Sequence, residues 1–290
     1  MTESNHLLQR NLFGENLRWA RRQAENYHTE VLATTLEHLA YYAPDAAAGL
    51  AAVLVGDTFD RSPPAGVETQ VITAQGILDL VMRQDHHVAV VEVKIDAAMG
   101  DDQLHRYKIW AAPAKGVVVL LCRWPPANHG ADRLVRWQEI WRWCRTQRGH
   151  ENPVARYIIR QLQRFLEDSD LAVQKIHGEG STGWPDLFNL MTLVLDAMRR
   201  YDPMLAHNRT IGTSKKSKWI GVYKADLFMI GLEADQPDRL TMEWLTATGE
   251  PSAFRLDQAF FGAEAEEQED RLTAWIHSEL EAAGVRRGNA

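Results

Sequence analysis

Three charged side chains interrupt the most strand-like segment of the chain, "GILDLVMRQDHHVAVVEVKI" at residues 76–95. Asp79 lies within the first apolar run, and Glu92 and Lys94 lie within the second. Burying ionised groups is costly unless they pair with each other or hold a metal. These three residues are therefore the first candidates for a chemical site.

The pairing of the two strands decides whether the carboxylates meet. A two-residue turn at 85–86 places Asp79 directly opposite Glu92, on the same face of the hairpin. A divalent cation would relieve their repulsion, because Mg²⁺ takes one or two carboxylates together with water and phosphate oxygens. Lys94 shares this face with Glu92, since side chains alternate along a strand.

The intervening positions are apolar and predict a core-facing side of the hairpin; they are Leu78, Leu80, Val91, Val93 and Ile95. Two alternatives stay open. A slip of one residue would move the two carboxylates to opposite faces. A hairpin at an exposed sheet edge would leave the charges as an ordinary surface ion pair of little energetic value.

The elements around the hairpin predict an α/β domain over residues 1–168. Hydrophobic periodicity and continuous apolar runs distinguish helices from strands. The predicted helices are 15–42, 101–111, 134–147 and 153–168, and the predicted strands are 68–82, 88–95 and 116–122. Residues 50–58 fit either a strand or a short buried helix.

The remaining residues, 169–290, predict an α+β accessory region. A helix is expected at about 186–201 and an acidic helix at about 263–283. Between them, "KWIGVYKA", "DLFMIGLEA" and "RLTMEWLTA" are separated by turn residues and predict an antiparallel meander.

Composition indicates a cytoplasmic protein. No apolar run has the length of a signal peptide or a membrane span, and the two cysteines form no C-x-x-C pair. The net charge is −7, but eight arginines fall within residues 133–164 and seven Lys or Arg within 199–224. These two basic islands are either local anion-binding surfaces or solvated faces.

The chain resembles the PD-(D/E)XK nuclease superfamily over about residues 20–168. The resemblance rests on "GILD" ending at Asp79, on "EVK" at 92–94, and on Gln103 and Tyr107 in the helical segment "QLHRY". Glu30 matches the glutamate of the preceding helix and is preferred to Glu37. Leu78 stands where the name-giving proline would stand, a position that varies in the family.

The resemblance implies a restriction-endonuclease-like αβββαβ core with flanking helices, and a metal-dependent phosphodiesterase. Asp79, Glu92 and the Val93 carbonyl would hold Mg²⁺ or Mn²⁺, and Glu30 would join directly or through water. Lys94 would orient or deprotonate the attacking water, or neutralise the phosphate. Gln103 and Tyr107, four residues apart on one helix face, would contact substrate or position Lys94.

The expected function is a DNA endonuclease in bacterial defence, restriction or repair. The alternatives are a nuclease for RNA or branched DNA, and a catalytically silent binding or assembly module. The expected partner is nucleic acid, with a homo-oligomer possible and no membrane. The loop lysines Lys215, Lys216 and Lys218 are expected to contact phosphates or only to increase solubility.

Overall fold

Two compact units make up the chain, Met1–Ala172 and Val173–Ala290. The computed structural model describes residues 24–95, 100, 102–123, 129–177, 184–202, 205, 209–214, 219–224, 227–233, 236–245 and 251–285. The division lies close to the predicted domain boundary between residues 168 and 169. No helix within these ranges combines the length and the apolar character needed to cross a bilayer.

The first unit is built from five helices and five strands in its described part. The helices are α1 (Ala24–Tyr42), α2 (Pro44–Val55), α3 (Gln103–Ala111), α4 (Trp137–Thr146) and α5 (Pro153–Asp168). The strands are β1 (Gly66–Thr73), β2 (Gly76–Gln84), β3 (His87–Lys94), β4 (Val117–Cys122) and β5 (Arg133–Arg136).

The strands form one mixed sheet in the order β1-β2-β3-β4-β5. β1, β2 and β3 pair antiparallel through two-residue turns, whereas β4 pairs parallel to β3 and β5 parallel to β4. A parallel pair needs a long crossover, and α3 lies within the crossover from β3 to β4. This topology places β3 in the middle of the sheet.

Helices cover the sheet because their apolar faces need burial. Leu32, Leu36 and Leu39 recur at helical spacing along α1 and are fully buried, and α1 contacts β1, β2 and β3. On α3, Leu104 and Tyr107 pack into a cluster with apolar residues of β2, β3 and β4. Neighbouring residues of β3 alternate in direction and are both fully buried, as Val90 and Val91 are, so both faces of the sheet are covered.

Gly116 permits the close approach of α3 to the sheet. A Cβ atom at this position would lie 2.8 Å from the Ala111 Cβ and 2.8 Å from the Val88 carbonyl oxygen. The chain can therefore turn from α3 through the 3₁₀ helix Ala112–Ala114 into β4 only because this residue has no side chain.

The second unit combines three described helices with an antiparallel sheet. The helices are α6 (Trp184–Tyr201), α7 (Gln258–Gly262) and α8 (Ala265–Ala282). The strands are β6 (Arg209–Ser214), β7 (Trp219–Lys224), β8 (Phe228–Glu233), β9 (Gln236–Trp244) and β10 (Ser252–Arg255), and they pair in that order. A row of the sheet is the set of residues that lie opposite one another from strand to strand. One row of this sheet consists of small residues: Gly212, Gly221, Gly231, Thr241 and Ala253.

The predicted mixed α/β character and the antiparallel meander are confirmed, but two predicted elements need correction. The segment 68–82 is not one strand, because a turn at 74–75 divides it into β1 and β2. Of the two alternatives left open for residues 50–58, the helix is the one observed: α2 ends at Val55 and is followed by Gly56, which has a positive φ of 63°. The start of predicted helix 134–147 is the strand β5, and residues 15–23 of the first predicted helix lie outside the described residues.

Candidate active site

The predicted hairpin register is confirmed where the ladder is formed. Gln84 pairs with His87, and the pairing continues to Leu80 opposite Val91. The next position along the same register is Asp79 opposite Glu92. At that position β2 and β3 form no backbone pair. Instead, Asp79 Oδ2 accepts a hydrogen bond from the Val93 amide at 2.9 Å.

Glu92 is buried in the centre of the sheet. Its side chain is 0% exposed, and its Oε1 lies 2.7 Å from the Nζ of Lys94, whose side chain is 16% exposed. The alternative of a surface ion pair at an exposed sheet edge is therefore wrong, because β3 lies between β2 and β4. A carboxylate at such a position must be satisfied by its neighbours.

Gln103 and Tyr107 of α3 connect this carboxylate to the helix. Gln103 Nε2 donates to Glu92 Oε1 at 2.7 Å and to the Tyr107 hydroxyl oxygen at 2.9 Å. The Tyr107 hydroxyl in turn donates to the Ile77 carbonyl at 2.6 Å. The two residues that the resemblance places beside the carboxylates thus lie at the site, where they fix Glu92.

The helix carboxylate at this cluster is Glu25 and not Glu30. Glu25 lies 3.6 Å from Lys94 Nζ, and its Oε1 accepts the Ile95 amide at 2.9 Å. Glu30 is exposed and accepts a hydrogen bond from the Thr69 hydroxyl on β1. Residues five apart lie about 140° apart around a helix, so α1 cannot direct both carboxylates to Lys94.

Burial perturbs the charged groups of the cluster. Burial raises the pKa of Glu92 to about 8, and the neighbouring Asp79 carboxylate adds to the shift. Burial also raises the pKa of Asp79, although the Val93 amide and the Lys94 charge oppose it. Burial lowers the pKa of Lys94, but the hydrogen bond and charge of Glu92 outweigh it, so the pKa of Lys94 is raised.

A divalent cation fits the oxygen atoms that remain. Glu92 Oε2 is buried, and no N–H or hydroxyl group within the described ranges donates a hydrogen bond to it. No three His, Cys, Asp or Glu side chains in that part of the chain are grouped to hold a metal by themselves. Two carboxylates are nevertheless a sufficient protein contribution for Mg²⁺, which keeps several waters.

The Val93 carbonyl can complete this set of ligands. In an extended strand the amide and carbonyl of one residue point to the same side. Since the Val93 amide donates to Asp79, the Val93 carbonyl also lies on the Asp79 side of β3.

The structure describes only some of the residues that were predicted to contact phosphate. Lys215, Lys216 and Lys218 lie outside the described residues. In the basic segment 133–164, Arg136 is buried and donates to the Arg123 carbonyl, so the segment is not one continuous basic face. Arg156 and Arg160 of α5 border a cavity of about 160 Å³ together with Pro153, Tyr157 and Gln161.

Comparison of the chain with protein-family models, with curated proteins and with solved structures gives no match.

Proposed function

We propose that the protein is a metal-dependent nuclease that hydrolyses phosphodiester bonds of DNA. The observation that carries the proposal is the buried Glu92 carboxyl group, opposite Asp79 in the hairpin register, with an oxygen to which no N–H or hydroxyl group of the described residues donates. A structural ion pair with Lys94 explains Oε1 but leaves Oε2 without a donor. The Asp79 and Glu92 carboxyl groups lie close enough to share a hydrogen bond when one of them is protonated, and a cation would take the place of that proton.

The arrangement of the elements also supports a restriction-endonuclease-like core. The order helix, three antiparallel strands, helix and parallel strand is formed by α1, β1–β3, α3 and β4. The residues that carry the resemblance to the PD-(D/E)XK superfamily lie at the centre of this arrangement. The proposed role of this DNA cleavage is bacterial defence, restriction or repair.

Asp79, Glu92 and the Val93 carbonyl would hold Mg²⁺ or Mn²⁺. The cation would supply Lewis-acid stabilisation of the charge that develops on the phosphate, and it would acidify a water molecule. The hydrogen bond from Gln103 holds Glu92 Oε1, which leaves Oε2 for the cation. Tyr107 keeps Gln103 in place and joins α3 to β2.

Lys94 supplies a fixed positive charge next to these groups. Its Nζ lies between the carboxylates of Glu92 and Glu25, which favour its charged form. The ammonium group would donate to a phosphate oxygen or hold the attacking water. Glu25 positions Lys94 and the end of β3 through the Ile95 amide.

A substrate and metal panel tests the proposal. Purified protein is incubated with plasmid, linear duplex DNA, branched DNA, single-stranded DNA and RNA, in Mg²⁺, Mn²⁺ or EDTA. We expect cleavage of DNA with either metal and none in EDTA. Cleavage confined to RNA or to branched DNA would correct the substrate class.

The matched variants are Glu92→Gln and Glu68→Gln. Both remove one carboxylate charge, but Glu68 is exposed on β1 and pairs with Arg83. We expect only Glu92→Gln to lose cleavage. Equal activity of Glu92→Gln and wild type would show that the site lies elsewhere, and binding of nucleic acid without cleavage would indicate a silent binding module.

A further inference from the structure

Gln70 lies in the same row of the sheet as the two carboxylates. On β1, Thr69 pairs with Leu80 and Val71 pairs with Leu78, so Gln70 falls opposite Asp79. No ladder pair forms at that position, although pairs form on both sides of it. Asp79 is the one residue of β2 that pairs with neither β1 nor β3.

The backbone of Gln70 is in the left-handed region, with a φ of 51°. Residues with a β-carbon rarely adopt this conformation, and those that do are mainly Asn and Asp. The other six described non-glycine residues with positive φ lie in turns; they are Asp60, Arg61, Asp85, Asp102, Lys115 and Asp170. Gln70 is therefore the one described residue with this strain inside a strand.

The carboxamide of Gln70 is also unsatisfied. Its Nε2 is buried and has no hydrogen-bond partner in the described part of the chain. The residue as a whole is only half-buried, so rotation of the side chain can present the amide at the surface. A buried donor without an acceptor raises the free energy of the folded state, and the strained backbone of the same residue raises it further.

Both unfavourable features occur beside the proposed metal ligands, and strained residues concentrate where a function maintains them. We infer that Gln70 is a substrate-contacting residue whose amide donates to a non-bridging oxygen of the phosphodiester bound against Asp79. The acceptor that the amide lacks then arrives with the substrate. This inference rests on the proposed nuclease function.

Gln70→Gly removes both the backbone strain and the side-chain amide, and the two losses show in different measurements. Stability reports the strain, because glycine adopts a positive φ without strain, and DNA affinity reports the amide. The melting temperature is expected to rise by about 2–4 °C, while the side-chain contact is lost. Binding of a short DNA duplex is measured with Mn²⁺ in the non-cleaving Lys94→Ala background. Its Kd is expected to rise about ten-fold or more.

A second variant, Gln70→Glu, keeps the size of the side chain but replaces the donor by a carboxylate. We expect it to weaken DNA binding more than Gln70→Gly does, because a negative charge then faces the phosphate. Mn²⁺ binding by Gln70→Gly, measured by calorimetry without DNA, is expected to be unchanged. Loss of Mn²⁺ affinity with unchanged DNA affinity would overturn the assignment to phosphate.

Two control variants match these changes at the β2–β3 turn. Asp85→Gly removes a left-handed residue with a φ of 49°, and Gln84→Glu adds a charge at the end of β2. Neither is expected to alter DNA affinity. A fall in the melting temperature of Gln70→Gly, or DNA affinity equal to that of its parent, would overturn the inference alone. If wild type neither binds Mn²⁺ nor cleaves nucleic acid, the proposed function and this inference are both overturned.

Discussion

The two five-stranded sheets carry rows of opposite character. In the first unit the row contains Gln70, Asp79, Glu92, Leu120 and Leu134. In the second unit the row contains Gly212, Gly221, Gly231, Thr241 and Ala253, none of them charged. A sheet of this size therefore needs no ionisable group across its middle. The carboxylates of the first unit are unfavourable for folding, which is the condition under which a functional explanation is required.

The sharpest test of this contrast is substitution in each row. Asp79→Asn removes a proposed metal ligand, and we expect cleavage to fall by at least about 100-fold. Without metal and above about pH 8, where both carboxyl groups are ionised, the melting temperature should hold or rise, because one of two repelling charges is gone. The control is Thr241→Ala in the second unit, which should leave cleavage unchanged. If Thr241→Ala loses cleavage while Asp79→Asn keeps it, the catalytic site lies in the second unit and not in the first.

The next largest effect is expected from Lys94→Ala. The variant should lose about 10²–10⁴-fold in turnover, the range associated with a positioned proton donor or acceptor. Metal binding should persist, because Lys94 is not a ligand. Calorimetric titration with Mn²⁺ checks this, and loss of Mn²⁺ binding would contradict the role given to Lys94.

Gly116→Ala tests whether the site depends on the approach of α3 to the sheet. The new Cβ would lie 2.8 Å from the Val88 carbonyl oxygen, so we expect a loss of about 1–3 kcal/mol in the free energy of unfolding. Gly149→Ala is the control, because a Cβ there has no atom within 4 Å. Denaturant unfolding of both variants provides the measurement, and equal stability would show that α3 adjusts freely.

A separate effect is expected from pH in the absence of metal. The pKa of Glu92 is raised from an ordinary value near 4.5 to about 8. Between these values the folded protein binds more protons than the unfolded chain, so stability falls as the pH rises through that window. Glu92→Gln should flatten the dependence of melting temperature on pH. A wild-type melting temperature that rises from pH 5 to pH 8 would contradict the sign of the shift.

The register of the β2–β3 hairpin could be predicted from the sequence because a two-residue turn and the alternation of apolar residues fix it together. Gln103 and Tyr107 could be predicted because the resemblance to the nuclease superfamily points to this helix, and their spacing puts both on one face of it. In each case the information is local, and tertiary packing had only to agree with it.

Glu25 could not be chosen from the sequence, since α1 carries several acidic residues and only packing decides which one reaches Lys94. β5 was missed because its four residues include two arginines and continue directly into α4. Arg136 nevertheless becomes buried, where its guanidinium donates to the Arg123 carbonyl. The strain of Gln70 was also invisible, because a backbone dihedral angle has no signature in residue type when the residue is glutamine.

The two-residue turns of the β1–β2–β3 meander have a consequence for folding kinetics. Hairpins of this kind close in about 1–10 μs, so Asp79 and Glu92 meet early, while both are still hydrated. β4 can join β3 only after the chain has passed through α3, a contact that closes a longer loop. The carboxylates then lose their water when α3 docks, and this step should limit the refolding rate. A divalent cation present during refolding is therefore expected to accelerate the formation of the native sheet.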